Sequence, residues 1–534
     1  MRRSIFLILI ILFSFSVFAQ KSLMLVHNAG SARYDLPVLQ EVENTCIVLA
    51  DQKRLDQLKN GLLSYTILES DTRSKEYFLV YPFGDDPAIQ VVYDEKVFSQ
   101  YGKVLATFST CLLMESTGAK LETITEYITR CVALGQEPID YTCRTIVDKR
   151  PRPAPYDFLL EEIMERVNED SVEQHLRDLC AIHNRDIKGP YNEADAMPFL
   201  KKKYLEYGCD SIIVLPINSG SNTHVAGVRF GKKNPTLKQF TLIGGHSDTK
   251  GVGGENRHQG ANDNASGQVG VLEAARVHQY YEFDYTIIYA SHNGEEYGFL
   301  GARAMVNELK RIDAKAVGGV FSYDMLGLKG TSIRYEAYNG NTGAEEFVDR
   351  IDELVHTYEP YNVTSVEATS TSSQPTDVTA YWDNGYVCAW HRWGSGFGSI
   401  HTVADSIRGD FEPAHLTGCT KTGILVTAYY ANPIGPVGIN NTATMKNKPV
   451  ITCKQTPAGD LSITVNTKKM GPDAKLEIFN LHGRMLKRFD LAGDKVTKFT
   501  WNSRNKNGDK TANSLLLLRY KDSVSTAAVK VLVK

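Results

Sequence analysis

The sequence predicts an α/β fold built on a mostly parallel, twisted sheet with helices on both faces. Short apolar runs in residues 151–434 have the length and composition of buried strands, and they are FTLIGG (240–245), YTIIYA (285–290), AVGGVFSY (316–323) and YVCAWH (386–391). Stretches with helical periodicity, beginning with SVEQHLRDLCAIHN at Ser171, separate these runs. Such alternation is typical of a parallel sheet, because each crossover between parallel strands is long enough to hold a helix.

Two breaks in composition divide the chain and predict three folded units. The segment DKRPRPAPY (148–156) has three prolines, and the segment NPIGPVGINNTATMKNKP (432–449) is rich in proline, glycine and asparagine. We therefore expect an N-terminal domain at 20–150, a catalytic domain at 151–434, a linker at 435–449 and a C-terminal domain at 450–534. A length of 534 residues agrees with this number, since domains average roughly 150 residues.

The two outer domains carry no catalytic motif. Residues 20–150 mix short apolar runs with helical periodicity, which predicts a small α/β unit. This unit is either a propeptide that covers an active site or a permanent accessory domain, and no motif separates the two. Residues 450–534 contain short alternating runs separated by turn residues such as NKNGDK (505–510), which predicts a β-sandwich.

Residues 1–19 have the pattern of a signal peptide. Arg2 and Arg3 precede a short apolar run, and Val17 and Ala19 supply small residues at a cleavage site. We therefore expect an exported protein that begins at Gln20. No later stretch is long and apolar enough to predict a transmembrane anchor.

The charge balance argues against nucleic acid as a partner. The chain has 59 Lys and Arg against 62 Asp and Glu, a net charge of -3, without a block of like charge. Nucleic-acid binding depends on a concentrated positive charge, which this sequence lacks.

The cysteine content leaves disulfides open. Nine cysteines in an exported chain permit bridges, and the odd number requires at least one thiol that is free or paired with another chain. Cys111, Cys131 and Cys143 are close enough in sequence to include one bridge. None of the nine has the close paired spacing of a thiolate zinc site.

Polar side chains follow the predicted strands, at the edge where open α/β sheets bind ligands. The sequence GGHSD places His246 and Asp248 after the first strand, and a spacing of two lets Asp248 hydrogen-bond the imidazole of a metal-bound histidine. GANDNASG places Asp263 before a predicted helix. Taken singly, these residues also fit a surface loop and a helix N-cap.

Three further elements continue this pattern. Glu295 and Glu296 stand together in NGEEYG, where one carboxylate can bind a metal and the other can take a proton from its water. Asp324 ends a strand in YDMLG, and His401 follows another in IHTVADS. Each is weak alone, but together the imidazoles and carboxylates at one sheet edge predict a site for two divalent ions.

In order and spacing, HSD, GANDNASG, NGEEYGFLGA, YDMLG and IHTVADS resemble the motifs of the zinc aminopeptidases with a co-catalytic dinuclear site, the bacterial leucyl aminopeptidase type. The resemblance covers roughly residues 155–432. It implies a zinc exopeptidase fold, two zinc ions, and peptide substrates with a free N-terminus. The roles that it implies are His246 and Asp324 for one zinc, Glu296 and His401 for the other, Asp263 as the bridge, Glu295 as general base and Asp248 as partner of His246.

The sequence departs from the family in one stretch. In SQPTDVTAYWDNGY (373–386), Asp377 is flanked by Thr376 and Val378, where the family usually has Ser-Asp-His. The resemblance therefore does not define the specificity pocket. The ligand set is complete without the other histidines near the motifs, which are His258, His292 and His391.

Two alternatives to an aminopeptidase stay open. Glutaminyl cyclases share the fold but use a single zinc ion to form pyroglutamate. Against a cyclase, the turn at Glu295 and Glu296 continues into YGFLG without the insertion expected of cyclases, and Ile400 rather than Trp precedes His401. The other alternative is a binding protein with an inactive site, which the intact ligand set disfavours.

The C-terminal residues from about Leu461 resemble the sorting domain of the type IX secretion route. The resemblance depends on LEIFNLHGRMLKRF, on WNSRNKNGDKTANSLLLLRY and on a final VKVLVK. With the signal peptide, it implies secretion machinery as a partner and transport across the outer membrane to the medium or the cell surface. An ordinary accessory β-sandwich is the alternative.

Overall fold

The computed structural model describes two compact units. The first comprises residues 1–84 and 88–141, and the second comprises 85–87 and 142–534. The residues that the structure describes are 20–29, 35–42, 45–60, 63–83, 95–108, 111–121, 128–135, 138–140, 142–146, 148–150, 157–182, 185–187, 196–217, 222–233, 235–251, 258–328, 332–337, 343–359, 365–369, 376–393, 400–407, 411–436, 450–456, 460–466, 473–480, 485–491, 496–502, 514–521 and 526–533. The predicted signal peptide, residues 151–156 of the proline-rich segment and residues 437–449 of the predicted linker lie outside this set.

The first unit is a mixed α/β unit dominated by antiparallel strands. Its strands are β1 (Lys21–His27), β2 (Val38–Val42), β3 (Thr45–Asp51), β4 (Ser64–Glu69), β5 (Glu76–Phe83), β6 (Lys103–Thr107), β7 (Leu112–Ser116) and β8 (Ile128–Ala133). Its helices are α1 (Gln52–Asn60), α2 (Glu95–Phe98) and α3 (Gly118–Leu121). The eight strands form two four-stranded sheets, with the orders β2-β3-β1-β4 and β6-β7-β5-β8. Alternate residues such as Met24 and Val26 face a core that Leu55 and Leu58 of α1 complete.

The second unit contains the predicted α/β sheet. Its strands are β9 (Thr145–Ile146), β10 (Ser211–Pro216), β11 (Thr223–Arg229), β12 (Gln239–His246), β13 (Tyr281–Phe283), β14 (Thr286–His292), β15 (Lys315–Tyr323), β16 (Ser332–Ala337), β17 (Ser365–Thr369), β18 (Cys388–Trp393) and β19 (Pro433–Pro436). Its helices are α4 (Phe158–Glu165), α5 (Glu169–Cys180), α6 (Ala196–Glu206), α7 (Ser266–His278), α8 (Leu300–Arg311), α9 (Ala344–Tyr358), α10 (Asp377–Trp382) and α11 (Pro413–Ala431). Short helical turns at Ala261–Ala265 and Glu295–Tyr297 complete the list.

The nine-stranded sheet is parallel at its centre and has antiparallel pairs on both sides, including β18 with β16. Its order is β10-β11-β14-β12-β15-β18-β16-β17, and β9 pairs with β15. The neighbours β14, β12, β15 and β18 run parallel, whereas β10, β11 and β14 are linked by antiparallel pairs. The prediction of a mostly parallel sheet with helices is thereby confirmed. Strands β12 and β14 are buried almost throughout, as expected for strands covered on both faces.

The strand β9 enters this sheet from a position before the proline-rich segment. Thr145 and Ile146 pair in parallel with Ala316 and Val317 of β15. The Thr145 hydroxyl also accepts a hydrogen bond from the backbone N–H of Val387 at 2.8 Å. The residues just before the proline-rich segment are therefore part of the second unit.

The C-terminal residues form two facing antiparallel sheets. Their strands are β20 (Val450–Gln455), β21 (Leu461–Asn466), β22 (Lys475–Asn480), β23 (Met485–Asp490), β24 (Val496–Trp501), β25 (Ser514–Lys521) and β26 (Thr526–Val533). The orders are β20-β21-β24 and β23-β22-β25-β26. Alternate side chains of both sheets, such as Leu461, Ile463, Leu476 and Leu518, share one core, which makes this part a β-sandwich.

All nine cysteines lie in described residues, and the structure contains no disulfide between them. The bridge left open among Cys111, Cys131 and Cys143 is therefore not formed. Cys111 immediately precedes β7 and Cys131 lies on β8, and strand β5 runs between these two strands. Two strands in the same sheet that are not neighbours lie about 9–10 Å apart, which exceeds the reach of a disulfide.

Among the described residues, no helix combines the length and the hydropathy needed to cross a bilayer.

Candidate metal centre

The predicted site residues come from the carboxyl-terminal edge of the central strands. β12 ends at His246, and β14 ends three residues before Glu295. Asp324 directly follows β15. Because β14, β12 and β15 are parallel neighbours, their ends open on the same edge.

The two remaining ligand candidates reach this edge from loops. Asp263 lies in the turn Ala261–Ala265 before α7, and His401 lies in the loop of residues 400–407. The helix α7 does not use Asp263 as its cap, since Ser266 begins the helix and the N–H of Gly267 in its first turn donates to Oδ1 of Asn264 at 2.9 Å. The structure therefore does not support the interpretation of Asp263 as a helix cap.

Asp263 stands between two imidazoles. Its Oδ1 lies 3.0 Å from Nε2 of His246, and its Oδ2 lies 3.2 Å from Nε2 of His401. Nε2 of His246 is 3.3 Å from Oδ1 of Asp324, and Nε2 of His401 is 2.9 Å from Oε1 of Glu296. The five side chains thus form two groups that share Asp263, and within each group the potential ligand atoms lie within 4.8 Å of one another.

Charge explains why these groups can exist at a buried position. Burial disfavours a charged imidazole, but the negative charge of Glu296 outweighs it and raises the pKa of His401 to about 9. Burial likewise opposes the charge of His246, and the charge of Asp324 raises its pKa well above the ordinary value. Although burial alone would raise them, the pKa values of Asp263 and Glu296 are lowered by the two imidazoles. The cluster is therefore one in which cations are strongly favoured.

The donor set fits zinc. Imidazole nitrogens and carboxylate oxygens are ligands that zinc binds, and three carboxylates packed in a buried site require cationic compensation. Two ligand groups with one shared carboxylate provide places for two ions. Within the described residues there are three groups of side chains that could hold a metal ion: the two around Asp263 and a third formed by His246, Glu295 and Glu296. The neighbouring histidines His258, His292 and His391 belong to none of these groups.

Asp248 connects the first group to the Glu295–Glu296 turn. Nδ1 of His246 lies 3.2 Å from the backbone carbonyl of Asp248 and 3.5 Å from its Oδ1. The same carboxylate accepts hydrogen bonds from the backbone N–H groups of Glu295 at 3.0 Å and Glu296 at 3.2 Å. Asp248 therefore contacts the imidazole and also holds the backbone of the two glutamates.

Glu295 lies beside the ligand groups without belonging to either pair around Asp263. Its side chain is buried, and one of its carboxylate oxygens is within 4.8 Å of ligand atoms of His246 and Glu296. The neighbouring Glu296 contacts His401 instead. Two adjacent carboxylates thus have different surroundings, as a division between ligand and proton acceptor requires.

Arg185 supports the site and was not singled out from the sequence. Its guanidinium is fully buried and donates to the backbone carbonyls of Ser247 at 2.8 Å, Gln259 at 2.8 Å and Gly260 at 3.1 Å. A further bond reaches Leu179 at 2.9 Å. Arg185 thereby ties the loop after His246 to the loop before Asp263, and no local motif marks this role.

Asp405 holds the backbone of the shared carboxylate. Its oxygens accept hydrogen bonds from the N–H groups of Asn262 at 2.7 Å and Asp263 at 2.9 Å. Burial raises the pKa of Asp405 to about 6, although these hydrogen bonds oppose the increase. Asp405 belongs to the motif IHTVADS, so its spacing of four from His401 was a signal available in the sequence.

The segment that departs from the family contacts the site through Thr376. The Thr376 hydroxyl lies 3.3 Å from Oδ2 of Asp324, to which it donates. Asp377, the first residue of α10, is buried. Residues 373–375 lie outside the described residues. Thr376 is thus a further contact of a predicted metal ligand.

The fold and the site together define a class, the α/β proteins with a set of metal-ligand side chains at the ends of parallel strands. Residues 225–424 match the model of peptidase family M28. The prediction of a metallo-aminopeptidase agrees with this match.

Individual relatives point the same way. The chain is similar to a probable zinc metalloprotease of Pyrenophora teres f. teres, with 25% identity over 209 residues, which cover 34% of the chain and 44% of the relative. It is also similar to a probable leucine aminopeptidase 2 of Arthroderma benhamiae, with 28% identity over 103 residues, or 19% of each protein. The chain thus spans less than half the length of these curated relatives.

A solved structure shares the fold. The crystal structure of the LapA aminopeptidase of Legionella pneumophila superposes with a TM-score of 0.52 and 18% identity, and covers 67% of the chain and 98% of LapA. At this identity, the similarity concerns the fold alone.

Proposed function

We propose that the protein is a zinc aminopeptidase that removes N-terminal residues from peptides and binds two zinc ions. The observation that carries the proposal is Asp263, whose two oxygens each contact a different imidazole. The M28 match and the names of the two curated relatives support zinc and peptide hydrolysis.

His246 and Asp324 would hold one ion, Glu296 and His401 the other, and Asp263 would contact both. Bound zinc would supply an acidified water and a Lewis acid for the scissile carbonyl. Asp248 keeps the His246 ring oriented and fixes the turn that presents the glutamates. Arg185 holds the loop before Asp263, and Asp405 holds the backbone N–H groups of Asn262 and Asp263.

Glu295 is the general base in this proposal. It lies beside the ligand groups, and its neighbour Glu296 is engaged by His401. Its carboxylate would accept a proton from the attacking water and return it to the leaving amine, a role that depends on position next to, rather than within, the ligand pairs.

The decisive experiment is mass spectrometry of a peptide pool incubated with the zinc-loaded protein. The pool contains free, N-acetylated and Gln-led peptides, and the Glu295→Gln protein serves as the matched control. We expect stepwise shortening of peptides with free N-termini only, and none with the control. Loss of ammonia from Gln-led peptides without shortening would identify a glutaminyl cyclase, and an inert protein with bound zinc would favour a binding protein.

We also propose that the protein is exported, with residues 1–19 as the signal peptide and residues 450–534 as a sorting domain for the type IX route. The basic start and apolar run of residues 1–19 support the first part, and the C-terminal resemblance supports the second. N-terminal sequencing of the protein recovered from the medium or cell surface of a type IX-competent bacterium should begin at Gln20. Recovery from the cytoplasm with Met1 intact would contradict export.

A further inference from the structure

The β-sandwich has a sheet that is buried on both faces. In β22, Leu476 and Ile478 point into the sandwich core, and the alternate residues Glu477 and Phe479 point to the opposite face. Glu477 and Phe479 are nevertheless only 2% and 3% exposed. An antiparallel sheet at the surface of a sandwich normally has a solvated outer face. Something other than the sandwich core therefore covers this face.

The covering element is helix α4 of the catalytic part of the chain. One side of α4 packs into the main core through Leu160, Ile163 and Met164. Another side presents Phe158, and with it the carboxylates of Glu161 and Glu165, which are one helical turn apart. An apolar ring beside two acidic groups matches a sheet face that carries an aromatic ring and two basic groups.

Arg519 of β25 is the centre of this contact. It is 4% exposed and bonds Glu477 through Nε at 3.0 Å and Nη2 at 2.8 Å, while Nη1 bonds Glu161 of α4. Its guanidinium lies 4.7 Å from the ring centre of Phe158 and 5.0 Å from that of Phe479.

Two further contacts extend the interface. The rings of Phe158 and Phe479 meet edge to face with centres 5.3 Å apart. Lys521 pairs with Glu165 at the periphery. Each aromatic or charged side chain that α4 presents on this side therefore contacts an aromatic or oppositely charged side chain of the sandwich.

Burial makes this contact costly to break. Separation of the sandwich from α4 would remove Glu161 and the Phe158 ring from Arg519, and would expose the aromatic faces that the two elements now cover. Arg519 would keep its two bonds to Glu477 but would lose the Glu161 carboxylate and the stacking on Phe158. Aromatic residues and Arg are enriched in the buried cores of protein interfaces, as they are here.

We propose that the C-terminal β-sandwich is a permanent partner of the catalytic domain, docked on α4 through Arg519 and Phe479. A cut in the chain between the two does not separate them. The residues 450–534 consequently remain with the enzyme as a structural subunit, whatever they contribute to export.

The test is to cut the full-length protein in the segment between the two parts. A recognition sequence for a specific protease is inserted within residues 437–449, and the cut protein is analysed by size-exclusion chromatography. We expect both fragments in one peak at the elution volume of the uncut protein. Two separate peaks from the otherwise unsubstituted protein would overturn the proposal.

Substitutions on the catalytic side then test the assigned contact without altering the sandwich. Glu161→Lys places a cation against Arg519, and Glu162→Lys makes the same charge change one position along the same helix as the matched control. We expect the released fraction of sandwich to be about tenfold higher for Glu161→Lys than for Glu162→Lys. Phe158→Ala should increase release as well. Equal release from the two lysine variants would overturn the role assigned to Arg519.

Discussion

The buried histidines at the sheet edge and those in the core beneath it differ in the direction in which their pKa values are shifted. His246 and His401, at the edge, contact carboxylates, and their pKa values are raised. In the core, His224 stacks on His292 with ring centres 5.2 Å apart, and His278 hydrogen-bonds the Tyr289 hydroxyl at 3.1 Å. Burial lowers the pKa of His224 to about 4 and of His278 to about 3.

This difference teaches that burial does not identify a metal-binding histidine. Both sets are buried and both lie in the same domain. At the edge, each imidazole contacts two carboxylates, which make it a partner for cations. One carboxylate is not enough, because burial still lowers the pKa of His175 to about 4 although it lies 3.5 Å from Glu273. A zinc ion can replace the proton at the edge, whereas among the described residues neither His224 nor His278 forms an ion pair with a carboxylate.

The largest effect that tests the comparison is expected from Asp263→Ala. It removes the carboxylate that both edge imidazoles contact, so both zinc ions and at least about 10³-fold of the turnover should be lost. Elemental analysis of the dialysed protein gives the zinc content. The exposed Asp349→Ala on α9 is the control and should retain both ions. Two ions in the Asp263→Ala protein would refute its place as the shared ligand.

Glu295→Gln separates proton transfer from metal binding. Turnover should fall by about 10²- to 10⁴-fold, because the proposed general base is lost while the two ligand groups around Asp263 are intact. Zinc content should stay unchanged. Its neighbour provides the contrast, since Glu296→Gln should lower zinc content through its contact with His401. Full activity of the Glu295→Gln protein would remove the base assignment.

Asp405→Asn tests whether a carboxylate that is not itself a ligand contributes to zinc affinity. The amide offers one acceptor oxygen for two backbone N–H groups, so the loop that carries Asp263 is held less firmly. We expect zinc affinity to fall by about 10- to 100-fold, with near-normal turnover at saturating zinc. Competition with a chelator measures the affinity. If the chelator removes zinc equally from both proteins, Asp405 does not position the site.

The smallest effect concerns the core histidines and pH. The folded protein binds a proton at His278 less readily than the unfolded chain does, so the unfolded state gains more protons as pH falls from about 6.5 to about 3. Stability therefore decreases with acidification, by up to roughly 1.4 kcal/mol per pH unit for one such histidine. Urea unfolding at several pH values should show a shallower dependence for His278→Gln than for the unsubstituted protein. If the free energy of unfolding depends on pH equally in both proteins, His278 does not have the lowered pKa assigned to it.

The fold and the set of candidate ligands were accessible from the sequence because the signals are local. Buried strands are recorded as short apolar runs, and β12, β14 and β15 overlap the runs that predicted them. His246 and Asp324 stand at the ends of two of these strands. Since parallel strands end at the same edge, the order of the motifs was enough to bring them together.

The support of the site and the domain contacts were not accessible in the same way. Arg185 binds backbone carbonyls, which every residue has, so no side-chain pattern in the sequence predicts its partners. Arg519 meets Glu161 across more than 350 residues of sequence. The absence of a disulfide between Cys111 and Cys131 depends on the strand order of a sheet, which cannot be read from the spacing of cysteines in the sequence.

The short strand β9 has a consequence for any proteolytic maturation of the enzyme. Thr145 and Ile146 complete the catalytic sheet beside β15, yet they precede the proline-rich segment in the chain. Scission within residues 151–156 would leave this strand on the N-terminal fragment while its backbone stays hydrogen-bonded to the catalytic sheet. The product would be a two-chain enzyme rather than a liberated one. Release of the N-terminal region would require the strand to be extracted, or a second scission between Tyr141 and Thr145.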